Sequence, residues 1–356
     1  MDLSRICLDQ FRSYKQGEFV FQASGSLIIG TNGCGKTNLL EAIAYCGIGK
    51  SIRFHRDEDL LHYDSKMFRI VADFSTDADS KLKVSLAYAD KKKLLKLDDL
   101  PIRQLSKLFD VVKVIYCAPE DLLMINGSPR FRRQYFDLAI AQLYPQYIPL
   151  LRNYLHLVEQ RNALLKRNYQ PAEKQSWDES FARSMHDVWS FRARYLLSLN
   201  EAFRNQYTSI FPLASSIVVN YNTALKLKLD SSVNSILNHL RDLEPREKLW
   251  QRSLAGAHLD DYEFKLSGRD MRVYASQGQK RIAVIILKLI QAHLIETITG
   301  IKPILLFDDI FAELDYYHSQ SIRDCIDSRY QVFIASPKED ICNIWKGYQV
   351  LKIAEK

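Results

Sequence analysis

The feature that most restricts this chain is the octapeptide Gly30-Thr31-Asn32-Gly33-Cys34-Gly35-Lys36-Thr37, which satisfies the pattern G-x-x-x-x-G-K-[ST]. Its context restricts the fold further. The apolar run Ser26 to Ile29 precedes it. LLEAIAYCGIG, residues 39 to 49, follows, with Leu39, Leu40 and Ile43 at helical spacing and Gly47 and Gly49 as stops. A strand, a glycine-rich loop and a helix in that order turn backbone N–H groups inward around phosphate, and the helix N-terminus adds a favourable dipole. The spacing predicts that Lys36 pairs with the β- and γ-phosphates of ATP and that the Thr37 hydroxyl ligates Mg²⁺. Gly30 to Thr37, with the adjoining Asn38, are the expected nucleotide-binding residues. The four fixed positions arise by accident in a chain of this length on the order of once in a hundred.

A second constellation agrees with the first. Ile304 to Phe307 followed by Asp308 and Asp309 is a buried parallel strand that ends in paired carboxylates, where α/β sheets place their chemistry. Asp308 is expected to hold Mg²⁺, and Asp309 to polarise or orient the attacking water. Two solvated acids at a strand end would be the ordinary reading without the phosphate loop; with it, catalysis by Lys36, Asp308 and Asp309 is preferred.

YASQGQKR, residues 274 to 281, lies ahead of the apolar helix IAVIILKLIQ and resembles the signature motif of ABC ATPases. Ser276, Gly278 and Gln279 take the matching places, Gln277 between them is counted with the expected nucleotide-binding residues, and a serine hydroxyl with a glycine N–H at a helix start makes a second phosphate clamp. Ser-Gln-Gly is also a fair helix cap.

The remaining chain divides by pattern. Leu3, Ile6 and Leu8 alternate as in a strand, and MFRIVADFS and KLKVSLAYAD, followed by the basic KKKLLK, suggest a meander within residues 67 to 97. Helical periodicity takes over from about Pro119 to Pro212, with a break expected at NYQPAEKQSW, residues 168 to 177. SIVVNYN at 216 to 222 returns to strand character, and β/α alternation runs to the end, with a helix after Asp315 and a strand over Gln331 to Ala335. The expected organisation is an α/β ATPase lobe of residues 1–115 and 214–356, interrupted by a helical lobe of residues 116–213. No heptad run is long enough for a coiled coil.

The six cysteines are scattered without a CxxC pair, which argues against zinc or a disulfide framework and fits a reducing cytoplasm. The start, MDLSRICLDQF, lacks the apolar core of a signal peptide. The apolar stretch Ile282 to Ile298 is interrupted by Lys288, Gln291, His293 and Glu296, so it reads as a buried helix and no membrane partner is expected.

Three motifs in this order resemble an ABC/SMC-type head, and further segments resemble the RecF family. These are FRSY with Arg12, APEDL (118–122), NGSPRFRRQYFD (126–137), QRNALLK (160–166), AGAHLDD (255–261) and FDDIFAELD (307–315), so the likeness spans nearly the whole chain. It implies an ABC/SMC-type P-loop ATPase head with an inserted helical lobe and no long coiled coil. It also implies ATP-dependent homodimerisation, binding to double-stranded and gapped DNA, and RecR as a partner in loading recombinase mediators. By the same resemblance Arg12 approaches the phosphates and Asp315 belongs to the D-loop between subunits. Three departures stand out. The acids are Asp-Asp where many ABC relatives have Asp-Glu, which implies slow hydrolysis. Ser336-Pro337 follows the last core strand where ABC transporters carry a switch histidine, and Leu259 stands where a basic residue is common.

Lys and Arg total 49 against 42 Asp and Glu, a net charge of +7 that leans toward polyanions without deciding for them. Lys91, Lys92, Lys93, Arg130, Arg132, Arg133, Lys166, Arg167, Arg192 and Arg194 are the candidate phosphate grips, although each singly reads first as part of a solvated face; the aromatics beside Arg130 to Phe136 are candidate stacking groups that at helical spacing are more often core. An ATPase subunit of a transporter and an SMC-like DNA bridge are the competing readings. The helical lobe and Ser336 count against the first, and the missing coiled coil against the second.

Overall fold

The computed structural model describes residues 1–53, 56–75, 80–205 and 211–354, apart from the side chains of 105, 106 and 313. The chain forms two compact units, Met1–Asp121 with Leu287–Lys356, and Leu122–Ile286.

Two sheets make up the first unit. One is antiparallel with six strands in the order Tyr14–Val20, Asp2–Phe11, Met67–Ser75, Lys81–Ala89, Lys92–Leu97 and Leu100–Ile102. Alternation along Met67–Ser75 buries Phe68, Ile70, Ala72 and Phe74 on one face. The basic KKKLLK is itself largely a strand, paired with Lys81–Ala89. The second sheet is parallel, in the order Gln349–Lys352, Gly25–Ile29, Val332–Ser336, Ile304–Asp308 and Val114–Cys117. Its three middle strands are buried at every position, as parallel strands covered on both faces must be.

The helix Lys36–Ile48 shares one core with both sheets, and residues 39 to 46 are all fully buried. Gly47 does not stop this helix. It lies inside it, and a Cβ there would come within 2.5 Å of Val114 Cγ2, so its role is to let the helix approach the strand. Gly49, at φ 70°, ends the helix by returning its N–H to the Tyr45 carbonyl.

The second unit holds the helices Pro129–Leu143, Tyr147–Leu165, Pro171–Asn205 and Val233–Trp250. Only the first part of NYQPAEKQSW breaks the helices, because Pro171 opens the next one, a position where its missing N–H costs nothing. The division read from sequence ended the helical lobe at 213, whereas this unit runs to Ile286. The cause is nonlocal pairing. Ile217–Asn222 joins Asp261–Leu266 and Arg269–Asp270 in a separate three-stranded sheet, and Val219 is bonded through both its N–H and its carbonyl to the Asn200 side chain. Charges are buried here in pairs. Arg161 donates to Asp178, Glu247 and Ser253 while wholly excluded from solvent. Such pairs add little net stability but are costly to break on one side.

Helix Gln277–Thr299 has a mean hydropathy of 1.7 over its most apolar window, and 67% of that window is buried, as in a core helix. No long coiled coil occurs among the described residues, where the longest helix, Pro171–Asn205, packs within its own unit.

Candidate nucleotide site

The phosphate loop leaves the buried strand Gly25–Ile29 and enters the helix Lys36–Ile48 through two left-handed glycines, Gly33 at φ 87° and Gly35 at φ 112°. A side chain at Gly35 would meet Ser13 Oγ and Tyr14 Oη at 2.9 Å, whereas one at Gly33 would meet nothing within 4 Å. The loop is thus packed on its inner side and open on its outer. Tyr14 Oη donates to the Gly35 carbonyl at 3.0 Å and Asn38 Nδ2 to Ser13 Oγ at 2.9 Å, so the FRSY turn braces the loop from below. Lys36, 4% exposed, donates its amine to the carbonyls of Gly30 and Thr31, both at 2.9 Å.

Strand Ile304–Asp308 carries the acid pair to the same end of the sheet. Thr37 Oγ1 donates to Asp308 Oδ1 at 3.0 Å, and Tyr116 Oη donates to Asp308 Oδ2 at 2.7 Å. Asp308 is 4% exposed, and burial, with Asp309 adding to it, pushes its pKa up to about 6 against the pull of these two hydrogen bonds. Asp309 sits in the left-handed region at φ 52°, uncommon for a residue with a side chain, with its N–H on the Ala335 carbonyl at 3.1 Å. Burial also raises its pKa, with Lys36 opposing, and its Oδ1 is buried without a hydrogen-bond partner. A hydroxyl and a carboxylate oxygen 3.0 Å apart form a hard donor set that fits Mg²⁺. A half-buried acid beside them, with one buried oxygen unpartnered, fits a group that positions water.

Arg12 is anchored to the phosphate-loop helix. Its guanidinium donates to both oxygens of Glu41 at 3.0 and 3.3 Å and to the Asp59 carbonyl at 2.8 Å. Glu41, fully buried on the phosphate-loop helix, also accepts from Ser51. Sequence reading missed Glu41 and Tyr116 because neither belongs to a motif. The one signal for Tyr116 is its place in a strand paired in register with Ile304–Asp308, Leu306 facing Tyr116.

The signature lies in the second unit. Ser276 N–H donates to Gln279 Oε1 at 2.9 Å and Gln279 N–H to Ser276 Oγ at 3.2 Å, a reciprocal capping box that starts the helix. Gln277 and Gly278 are exposed, and a Cβ on Gly278 would have only Ser276 Oγ within 4 Å, which leaves the backbone there approachable. Asp315, in the first unit, caps the helix Tyr316–Cys325 and accepts from His318 N–H at 2.8 Å and His318 Nδ1 at 2.7 Å. Ser336 is buried, and its hydroxyl is closed on the backbone of Lys338.

The basic candidates separate sharply. Lys91, Lys92, Arg130, Lys166 and Arg194 are exposed. Arg132 and Arg192 are not available to DNA: they are 5% and 1% exposed, Arg132 forking onto Asp261 at 2.7 Å and Arg192 onto Asp137 at 2.9 and 3.1 Å. Lys93 is tied to Gly49 and Asp57, Arg133 to the Asp260 carbonyl and Arg167 to Glu173. Tyr135 and Phe136 are core residues, Phe136 stacking on Tyr262 at 3.8 Å, so neither offers a face to bases.

Comparison with known proteins agrees with this geometry. Residues 2–355 match the family described as RecF/RecN/SMC N terminal domain. The DNA replication and repair protein RecF of Desulfitobacterium hafniense is 32% identical over 339 residues, 94% of this chain and 93% of its own length. That of Acetivibrio thermocellus is 29% identical, covering 96% and 94%. A solved structure of the recombination mediator protein RecF-ATPrS in the RecFOR pathway superposes with a TM-score of 0.88 at 28% identity, over 99% of this chain and 95% of that one. An SMC head bound to the C-winged helix domain of ScpA shares the fold, with a TM-score of 0.52 at 16% identity over 97% and 92%.

Proposed function

We propose, because this chain belongs to the RecF family of the wider RecF/RecN/SMC group, that it is an ATP-gated DNA-binding protein of recombinational gap repair. Two copies close on ATP and DNA, and slow, Mg²⁺-dependent hydrolysis reopens them. The observation that carries this reading is the meeting of Lys36, Thr37, Asp308 and Asp309 at one end of the parallel sheet.

Gly30 to Asn38 wrap the phosphates, and Lys36 exchanges its two carbonyl partners for the β- and γ-phosphate oxygens. Thr37 and Asp308 would hold Mg²⁺, which when bound would supply positive charge beside the phosphate oxygens. Asp309, whose buried oxygen lacks a partner, orients the attacking water and takes up its proton. Its side chain is one methylene shorter than the glutamate of many ABC relatives, which makes turnover slow. Arg12 reaches the nucleotide by releasing Glu41. Ser276 to Gln279 of one copy meet the γ-phosphate held by the other, with Asp315 at the seam, an arrangement of two-fold symmetry. The open space over Gly278 supports this role.

The first unit is the ATPase lobe and the second the helical lobe, and the reading places the protein in the cytoplasm. Its partners are double-stranded and gapped DNA, a second copy, and RecR; the relatives' description as DNA replication and repair proteins supports the first of these.

The test is DNA retention with and without ATP in two variants. Lys36→Ala should lose both hydrolysis and ATP-dependent retention, while Asp309→Asn should bind ATP, hydrolyse poorly and stay on DNA. Equal retention with and without ATP in the wild-type protein would refute the gate, and normal turnover in folded Lys36→Ala would remove the assigned site.

A further inference from the structure

Asp308 presents two oxygens to two hydroxyls. Thr37 occupies Oδ1, and Tyr116, from the neighbouring strand Val114–Cys117, occupies Oδ2 at 2.7 Å. The phenol has one proton to give and the carboxylate oxygen can only accept, so Tyr116 is the donor. The strand end that carries it is fixed as well. Lys288, 6% exposed, donates to the Tyr116 carbonyl at 2.8 Å and to Asp121 Oδ1 at 3.0 Å, and the other Asp121 oxygen accepts the Ala118 N–H at 2.9 Å. The APEDL turn therefore locks the backbone from which the phenol reaches Asp308.

A carboxylate that contributes one oxygen to a cation site is free to rotate unless its second oxygen is held, and groups that hold such ligands typically control metal affinity by ten- to a hundredfold. We propose that Tyr116 is the positioning residue of the magnesium-side acid: its phenol fixes the Asp308 carboxylate so that the oxygen facing Thr37 stays aimed at Mg²⁺. It touches neither substrate nor metal and acts through Asp308. The inference rests on the reading of Asp308 as the acid that holds Mg²⁺.

The test titrates Mg²⁺ into the full-length protein and follows retention of a fluorescent ATP analogue, with Mn²⁺ binding by electron paramagnetic resonance as a readout independent of turnover. Tyr116→Phe keeps the ring and loses the donor. The half-saturating Mg²⁺ concentration should rise about ten- to a hundredfold, while analogue affinity in EDTA stays within about twofold of wild type. Fluorotyrosine at position 116 keeps ring and donor and should restore the wild-type Mg²⁺ response. An unchanged Mg²⁺ response in Tyr116→Phe overturns the proposal, and so does an equal shift in both variants, which would assign the effect to packing. Asp308→Asn separates this outcome from failure of the underlying reading. If its Mg²⁺ response is that of wild type, Asp308 is not the magnesium-side acid; if only Tyr116→Phe is without effect, the positioning role alone is wrong.

Discussion

Asp308→Asn should make the nucleotide-free protein more stable at neutral pH while destroying its Mg²⁺ response. Asp308 is 4% exposed, and burial raises its pKa from 3.8 to about 6. A carboxyl with a raised folded pKa binds its proton more tightly in the folded chain. Its protonation favours folding fully below about pH 4, and this contribution is lost as pH rises through about 6. The difference amounts to about 3 kcal/mol at pH 8. Asparagine has nearly the same shape and no charge, and the Thr37 and Tyr116 hydroxyls can turn so that one donates to the amide oxygen and the other accepts from its nitrogen. Imperfect geometry in that exchange reduces the net gain to about 1–3 kcal/mol. Thermal unfolding in EDTA without nucleotide, compared at pH 8 and pH 4.5, is the assay. At about 2–4 °C per kcal/mol for large domains, the variant should melt several degrees higher at pH 8 and near wild type at pH 4.5. No gain at pH 8, or an equal gain at both pH values, would refute the electrostatic argument.

Gly47→Ala should destabilise by about 1–3 kcal/mol through overpacking, because its Cβ would lie 2.5 Å from Val114 Cγ2; a melting temperature unchanged from wild type would contradict it. Arg192→Met should cost about 3–5 kcal/mol by leaving Asp137 without its cation and with only the Tyr147 hydroxyl, and any loss of DNA binding should follow the unfolded fraction, which denaturant titration measures. Lys91→Gln, at an exposed position, should leave melting unchanged and lower the salt dependence of DNA binding by about one phosphate contact if that hairpin meets DNA; an unaltered salt slope excludes Lys91 from the interface.

The parts of this molecule that were legible in sequence are those where ligand chemistry dictates residue type at fixed spacing. A phosphate loop must have glycines where φ is positive or the backbone is approached closely, and Gly33 and Gly35 meet that need. A buried strand ending in acids could be recognised because its apolar run is short and continuous. Nonlocal contacts were not legible. Tyr116 is one aromatic in a β run, and only its register against Ile304–Asp308 gives it a carboxylate to hold. Arg132 and Arg192 look in sequence like any other surface cations, since composition does not distinguish a buried paired guanidinium from a solvated one. Helix Val233–Trp250 escaped notice because it buries a narrow apolar edge and contains Pro245. Gly47 was read as a stop because a glycine near a helix end is usually one, and here packing decided its role.

The capping box at Ser276 means that the helix behind it begins in the absence of any ligand. A hydroxyl has two lone pairs and one proton, and Gln279 N–H takes one lone pair. The proton is uncommitted by that bond, so a phosphate arriving over Gly278 can accept it without displacing the cap. If the proposed clamp is right, one side chain serves folding and recognition at once, and no residues of that helix start have to be ordered at the moment of encounter. Alanine at 276 would lose both services, whereas aspartate would keep the cap and repel the anion. The two substitutions therefore distinguish a frayed helix from an intact one that no longer tolerates phosphate.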